Sequence, residues 1–278
     1  MISTTLGYTR QHYYKQQKDL QIQQTKQQQI KMLVLDQRKL LPRAGGRKIY
    51  HLIKPVLQSQ AVKCGRDKLF TVLRKNNLLI KPRRRYIQTT NSKHWMKKYP
   101  NKAKMFSVNA PEQLWVSDIT YVKTEEGNCY LNLITDAYSR KIMGYCIADN
   151  MEAITMRQAL DMAIRNRQYP KQPLIHHSDR GLQYCSNEYV SMAQSNNIIM
   201  SMTEQSDPYE NALAERMNRT IKEEFCLDCT LKTKNLAIAA VKQAIFLYNS
   251  YRPHLSLSLK TPDQQHQKTQ SPEAIGFI

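Results

Sequence analysis

The chain has 278 residues, 41% of them hydrophobic, and carries 42 Lys and Arg against 22 Asp and Glu for a formal net charge of +20. That length and apolar content suit one large domain or two smaller ones. No run approaches the ~20 apolar residues of a membrane span, and the Gln-rich start lacks a signal peptide's apolar stretch, so no membrane partner and a cytoplasmic location are expected. The charge is also uneven. Residues 1–111 hold 25 Lys and Arg against 3 Asp and Glu, a net of +22, whereas residues 112–278 hold 17 against 19, a net of −2. The front therefore points to a polyanion partner held through phosphate contacts.

Residues 1–44 are polar and rich in Gln and Lys, and the good helix formers without Gly or Pro over 8–41 predict a long, partly exposed helix. The region 45–81 follows PRAGGRK. Ile49, Leu52, Ile53, Val56 and Leu57 fall at helical spacing, and CGRD predicts the start of a second helix with Asp67 as N-cap. Two short helices across a small turn suit a helix-turn-helix, whose outward Lys68, Thr71, Arg74 and Lys75 are candidate DNA contacts and equally suit a solvated face. Residues 82–111 read as a basic linker. Arg83, Arg84 and Arg85 are its candidate DNA contacts, and its aromatics suit packing on the next domain better than base stacking.

From Glu112 the pattern changes. Residues 114–122, 129–136 and 141–147 predict three strands of an antiparallel meander, followed by a helix over 153–166 and a fourth strand, LIHHS. A helix near 187–195, a strand at IIMSMT, a helix from Asn211 to Phe225 and a last helix over 234–249, capped by Thr233, complete a βββαβαβα-type core over 112–250 with a tail at 251–278. The six cysteines are scattered. Cys226-x-x-Cys229 lacks the further pair a structural zinc would need.

Three acids occupy unusual settings: Asp118 in LWVSDITYV, Asp179 in LIHHSDRGLQY and Glu215 in YENALAERMNRTIKEEF. Taken singly, they suit a strand end, a turn and a helix surface. Taken together, carboxylates brought to about 4 Å repel by roughly 4 kcal/mol a pair at an effective dielectric near 20 and need divalent cations to neutralise them. Two Mg²⁺ or Mn²⁺ ions on oxygen ligands are the chemistry that fits, and the reaction is phosphoryl transfer.

The motifs W-x-x-D-I-T-Y and H-S-D-x-G-x-Q-Y, and a Glu with 35 residues between it and the second Asp, resemble the DDE catalytic core of insertion-sequence transposases. The resemblance is to the second-reading-frame product of the family typified by insertion sequence three, relatives of retroviral integrases. Asn211-Ala212, Lys222 seven residues after the Glu, and Y-N-S-Y-R-P-H at 248–254 extend the match from about residue 40 onward. It implies a ribonuclease H-like α/β core, a mixed five-stranded sheet with flanking helices, preceded by a basic, mainly helical DNA-binding region. It further implies Mg²⁺-dependent cleavage and strand transfer, double-stranded DNA as element ends and target, a homo-oligomer on DNA and the product of an upstream overlapping frame as a further partner.

On this reading Asp118, Asp179 and Glu215 are the catalytic metal ligands, with Lys222 and Arg219 on the same helix as DNA contacts. Glu210, Glu223 and Glu224 break the interval, Asp136 reads as a strand terminator, and His176 or His177 should face the site. The alternatives are a ribonuclease H-like nuclease that cuts without joining, and a decayed transposase acting only as a DNA-binding regulator.

Overall fold

The computed structural model describes residues 9–81, 96–150, 152–204 and 211–267. They fall into two compact units divided between Pro82 and Arg83. The N-terminal unit holds helices α1 (Arg10–Leu40), α2 (Gly46–Ser59) and α3 (Arg66–Lys75). Only Ile30 and Val34 of α1 are buried, because the sequence supplies no continuous apolar stripe; α2 and α3 bury Ile49, Ile53 and Leu57, and Leu69, Val72 and Leu73. The N-cap of α3 is Gly65 rather than the expected Asp67, which sits in the first turn, where a carboxylate favours the helix dipole. Among the described residues no helix is long and apolar enough to cross a membrane.

The second unit is built on one five-stranded sheet of order β3-β2-β1-β4-β5. Its strands are β1 (Leu114–Thr124), β2 (Gly127–Asp136), β3 (Ile142–Ala148), β4 (Leu174–Ser178) and β5 (Ile198–Met202). The first three form the antiparallel meander, and β4 and β5 add in parallel after the crossover helices α4 (Ala153–Arg165) and α5 (Asn187–Gln194). Gly127, at φ 113°, makes the tight β1–β2 turn, and Gly144 lets α4 lie directly on β3, since a Cβ there would collide with the backbone of Ala159 and Ala163.

Strand alternation sorts the side chains onto two faces. Trp115, Ile134, Leu174 and Met143 pack with α4 and α5 on one face. Val122, Leu131 and Leu133 pack on the other against α6 (Ala212–Glu224) and α7 (Lys234–Ser250), where Thr233 caps α7 by accepting from the Leu236 amide at 3.1 Å. A short 3-10 turn (Leu255–Leu257) and α8 (Pro262–Gln267) follow, and α8 buries His266 completely.

Candidate active site

The face shared with α6 carries Leu114, Val116 and Asp118 on β1, and Ile175 and His177 on β4. Val116 pairs with His177 at the end of the parallel β1–β4 ladder. Two residues further on lie Asp118 in β1 and Asp179 just past the end of β4, near enough for the Asp179 charge to act on Asp118. The buried stripe of α6, Ala214, Met217, Asn218 and Ile221, lays this helix across β1 and β2. Ala214 packs with Leu114, Val116 and Ile175, and Glu215 stands beside it on the exposed flank.

Two asparagines on the same helix fix this crossing. Asn211 Nδ2 donates to the Ser117 carbonyl at 3.0 Å, and Asn218 Nδ2 donates to Asp118 Oδ2 at 2.9 Å. Asp118 Oδ1 accepts from the Ile119 amide, and Asp179 Oδ1 accepts from the Gly181 amide, both at 2.9 Å. The other end of α6 is held by Arg252, whose Nε and second guanidinium nitrogen donate to the two Glu224 oxygens at 2.8 and 2.7 Å. Asn218 is a residue that sequence reasoning missed. Its signal was position alone: four residues after Ala214 and three before Ile221, it falls on the inward stripe where a polar side chain needs a partner.

Electrostatics set Asp118 apart. Burial first, then the negative charge of Asp179, and last that of Glu215, push its carboxyl up to about 7 against the opposing bonds from Asn218 and Ile119. Glu215 is itself raised by burial. The three acids thus share one field, with Asp118 and Asp179 its closer pair and Glu215 its looser member. Among the described residues no three His, Cys, Asp or Glu side chains form a ready-made metal cage. The donors are nevertheless hard oxygens, and Asn218 Oδ1 beside them is buried without a hydrogen-bond partner. Both features fit an open Mg²⁺ or Mn²⁺ site that takes one or two carboxylates and completes its shell with water and phosphate.

Lys222 lies further along the same face. Its Nζ is 3.3 Å from Thr120 Oγ1 and 4.4 Å from the Tyr121 ring centroid, about 7 Å along β1 from Asp118. Burial lowers its ammonium. Arg219 is exposed and pairs with Glu223 at 2.9 Å. The rival acids Glu223 and Glu224 are therefore in ion pairs, and Glu210 lies outside the described residues. His177 Nδ1 is 2.9 Å from Ser201 Oγ. Of the N-terminal candidates, Thr71, Arg74 and Lys75 are exposed on α3 and Lys68 is half-buried. Arg83, Arg84 and Arg85 lie outside the described residues.

Asp136 has a different role. With Glu112, Arg167, Ser139 and His266 it forms a buried knot at the start of β1. Glu112 donates its amide to Asp136 at 2.7 Å, Ser139 Oγ donates to Asp136 at 2.7 Å, and Arg167 Nε and His266 Nε2 reach Glu112 at 3.4 and 3.3 Å.

Two family models described as Integrase core domain match residues 108–208 and 196–262. The chain is 35% identical over 208 residues to an insertion element IS600 31 kDa protein of Shigella sonnei, covering 74% of this chain and 76% of that one. It is 30% identical over 198 residues to the transposase InsF for insertion sequence IS3A of Escherichia coli, covering 70% and 68%. The fold is similar to that in a simian T-cell lymphotropic virus intasome, with a TM-score of 0.50 at 17% identity over 84% of this chain and 78% of that one. With its ribonuclease H-like sheet and these relatives, the chain belongs to the insertion-sequence transposases of the IS3 family.

Proposed function

We propose that this transposase is a DDE-type polynucleotidyl transferase that breaks and joins DNA strands with Mg²⁺ or Mn²⁺, and that Asp118, Asp179 and Glu215 hold the ions. The observation that carries the reading is the convergence of these acids from two neighbouring strands and one helix, with Asp118 driven up to about 7 by burial and by the other two charges. Such ions, when bound, supply an activated attacking oxygen and stabilise the leaving oxygen of an in-line displacement. The chain's own work is placement. Asn218 orients Asp118, Asn211 seats the start of α6 on β1, and Lys222 offers a cation to a phosphate next to the carboxylates.

The partners on this reading are double-stranded DNA, as element ends and target, a second copy of the chain to pair two ends, and the product of an upstream overlapping frame. Lys68, Thr71, Arg74 and Lys75, with Arg83, Arg84 and Arg85, supply the sequence-independent grip of the basic front. The test uses the full chain, Mg²⁺ and duplexes carrying the DNA that flanks the gene. Wild type yields cleaved and joined strands; Asp179→Asn loses both by at least about 10³-fold while keeping end binding. Cleaved products that are never joined would make the protein a nuclease, and equal loss of binding and chemistry in Asp179→Asn would remove the metal-holding role.

A further inference from the structure

The segment just before β1 crosses the edge of the sheet at β5. Met96 and Tyr99 pack with the core beneath α4 and α5, whereas Ala103, Phe106 and Val108 pack with the opposite face. Between them the Lys102 amide donates to Ser201 Oγ at 2.9 Å. This crossing sets Lys97, Lys98 and Lys102 around an open cavity of about 610 Å³, floored by Tyr99 and by Ile198 and Met200 of β5, with no acidic residue among the described residues that line it. Lys97 Nζ lies 5.5 Å from the Tyr99 ring centroid.

Lysines along an edge strand also discourage pairing with another sheet. That role asks for charge alone and accounts for neither the concavity nor the exclusion of acids. The location supplies a further argument. Met200 pairs with His176, three residues before Asp179 on the adjacent strand, so the groove runs beside the strand that leads to Asp179, with Ile198 and Met200 turned toward the α4 and α5 side of the sheet.

We propose that the basic groove at the β5 edge holds the phosphodiester backbone of a DNA strand whose other part reaches the carboxylate site. The inference rests on the carboxylate site acting on DNA. Lys102 is anchored beside Ser201, and Lys97 and Lys98 line the groove with it.

The experiment measures affinity of the full chain for a duplex of arbitrary sequence as a function of salt, because phosphate contacts carry no sequence information. The combined Lys97→Ala, Lys98→Ala and Lys102→Ala variant should lower the slope of log affinity against log salt by about 2–3, at roughly 0.9 for each phosphate that is no longer neutralised. The matching triple Arg variant should keep the wild-type slope, which controls for folding. An unchanged slope in the Ala variant overturns the proposal, and self-association with that unchanged slope assigns the lysines to guarding the edge strand. The Asp179→Asn chain provides the separation: if it still cleaves DNA, the carboxylate reading fails, while the slope difference measured in the same background reports on the groove by itself.

Discussion

Asp136 and Asp118 lie on adjacent strands of one sheet, each drawn in among apolar neighbours, and the fold treats them in opposite ways. Asp136 is 0% exposed and accepts from the amides of Glu112 and Ser139 and from the Ser139 hydroxyl, with the protonatable ring of His266 next to it. Its companion Glu112 is surrounded by Arg167, His266 and the amides of Gln168 and Tyr169. Burial alone would raise Glu112, but the bonds from His266 and the two amides outweigh it and hold the carboxyl below its ordinary range. Asp118 meets two further acids, one neutral amide donor and one backbone amide. A buried charge that serves the fold is neutralised by the fold, whereas one left short of compensation awaits a partner from outside.

The largest expected effect comes from breaking the compensated region. Arg167→Met leaves Glu112 buried without its guanidinium and should cost about 3–5 kcal/mol, read as a lowered urea midpoint at unchanged slope. A cost under about 1 kcal/mol would erase the contrast between the two regions.

At the carboxylate site the sign reverses. A carboxyl whose folded pKa lies above its unfolded one contributes stability that is complete below the unfolded value and lost as pH rises through the folded one. Without metal, wild type should therefore weaken between about pH 4 and pH 8 as Asp118 ionises, and Asp118→Asn should be more stable at pH 8 by on the order of 2 kcal/mol, after discounting for its partial exposure. The gain should vanish below pH 4. His266 adds a second alkaline loss. Burial would lower its ring, but bonds to Asp136 and Glu112 outweigh it and hold it above its ordinary value, so its contribution is complete below about pH 6.5 and fades as pH rises through the raised value. Mg²⁺ added at pH 8 should restore the Asp118 part and leave the His266 part; thermal melts of wild type and His266→Asn, with and without Mg²⁺, separate the two.

A smaller effect sharpens the comparison from the helix side. Asn218→Ala removes a side-chain donor to Asp118 and should weaken metal-dependent activity by about 10–100-fold, as partners behind metal ligands commonly do. Half-saturating Mg²⁺ should rise with it, and a fall in rate at unchanged metal dependence would make Asn218 a packing residue only.

Much of this arrangement was legible in the sequence, because it is written in local patterns. Alternation placed β1 within two residues of its end, Thr233 announced α7, and Asp118 stood out in a β-branched, aromatic run. What escaped is the choice among distant partners. Asp67 and Gly65 are both permissible caps, and the helix starts from Gly65 without a side-chain cap bond, leaving Asp67 in its first turn. Glu112 takes φ 59° to turn its carboxylate toward Arg167 and His266, residues 55 and 154 positions away, which no local pattern encodes. Asn218 was hidden for the same reason, its partner lying 100 residues upstream on β1.

The central claim, that Asp118 and Asp179 jointly hold a divalent cation, is tested most directly by titrating Mn²⁺ into the full-length chain at pH 8 and following free and bound ion by electron paramagnetic resonance. Bound Mn²⁺ in wild type that is lost in both Asp118→Asn and Asp179→Asn, each still folded, is the expected result. Mn²⁺ bound equally by wild type and both variants would contradict it.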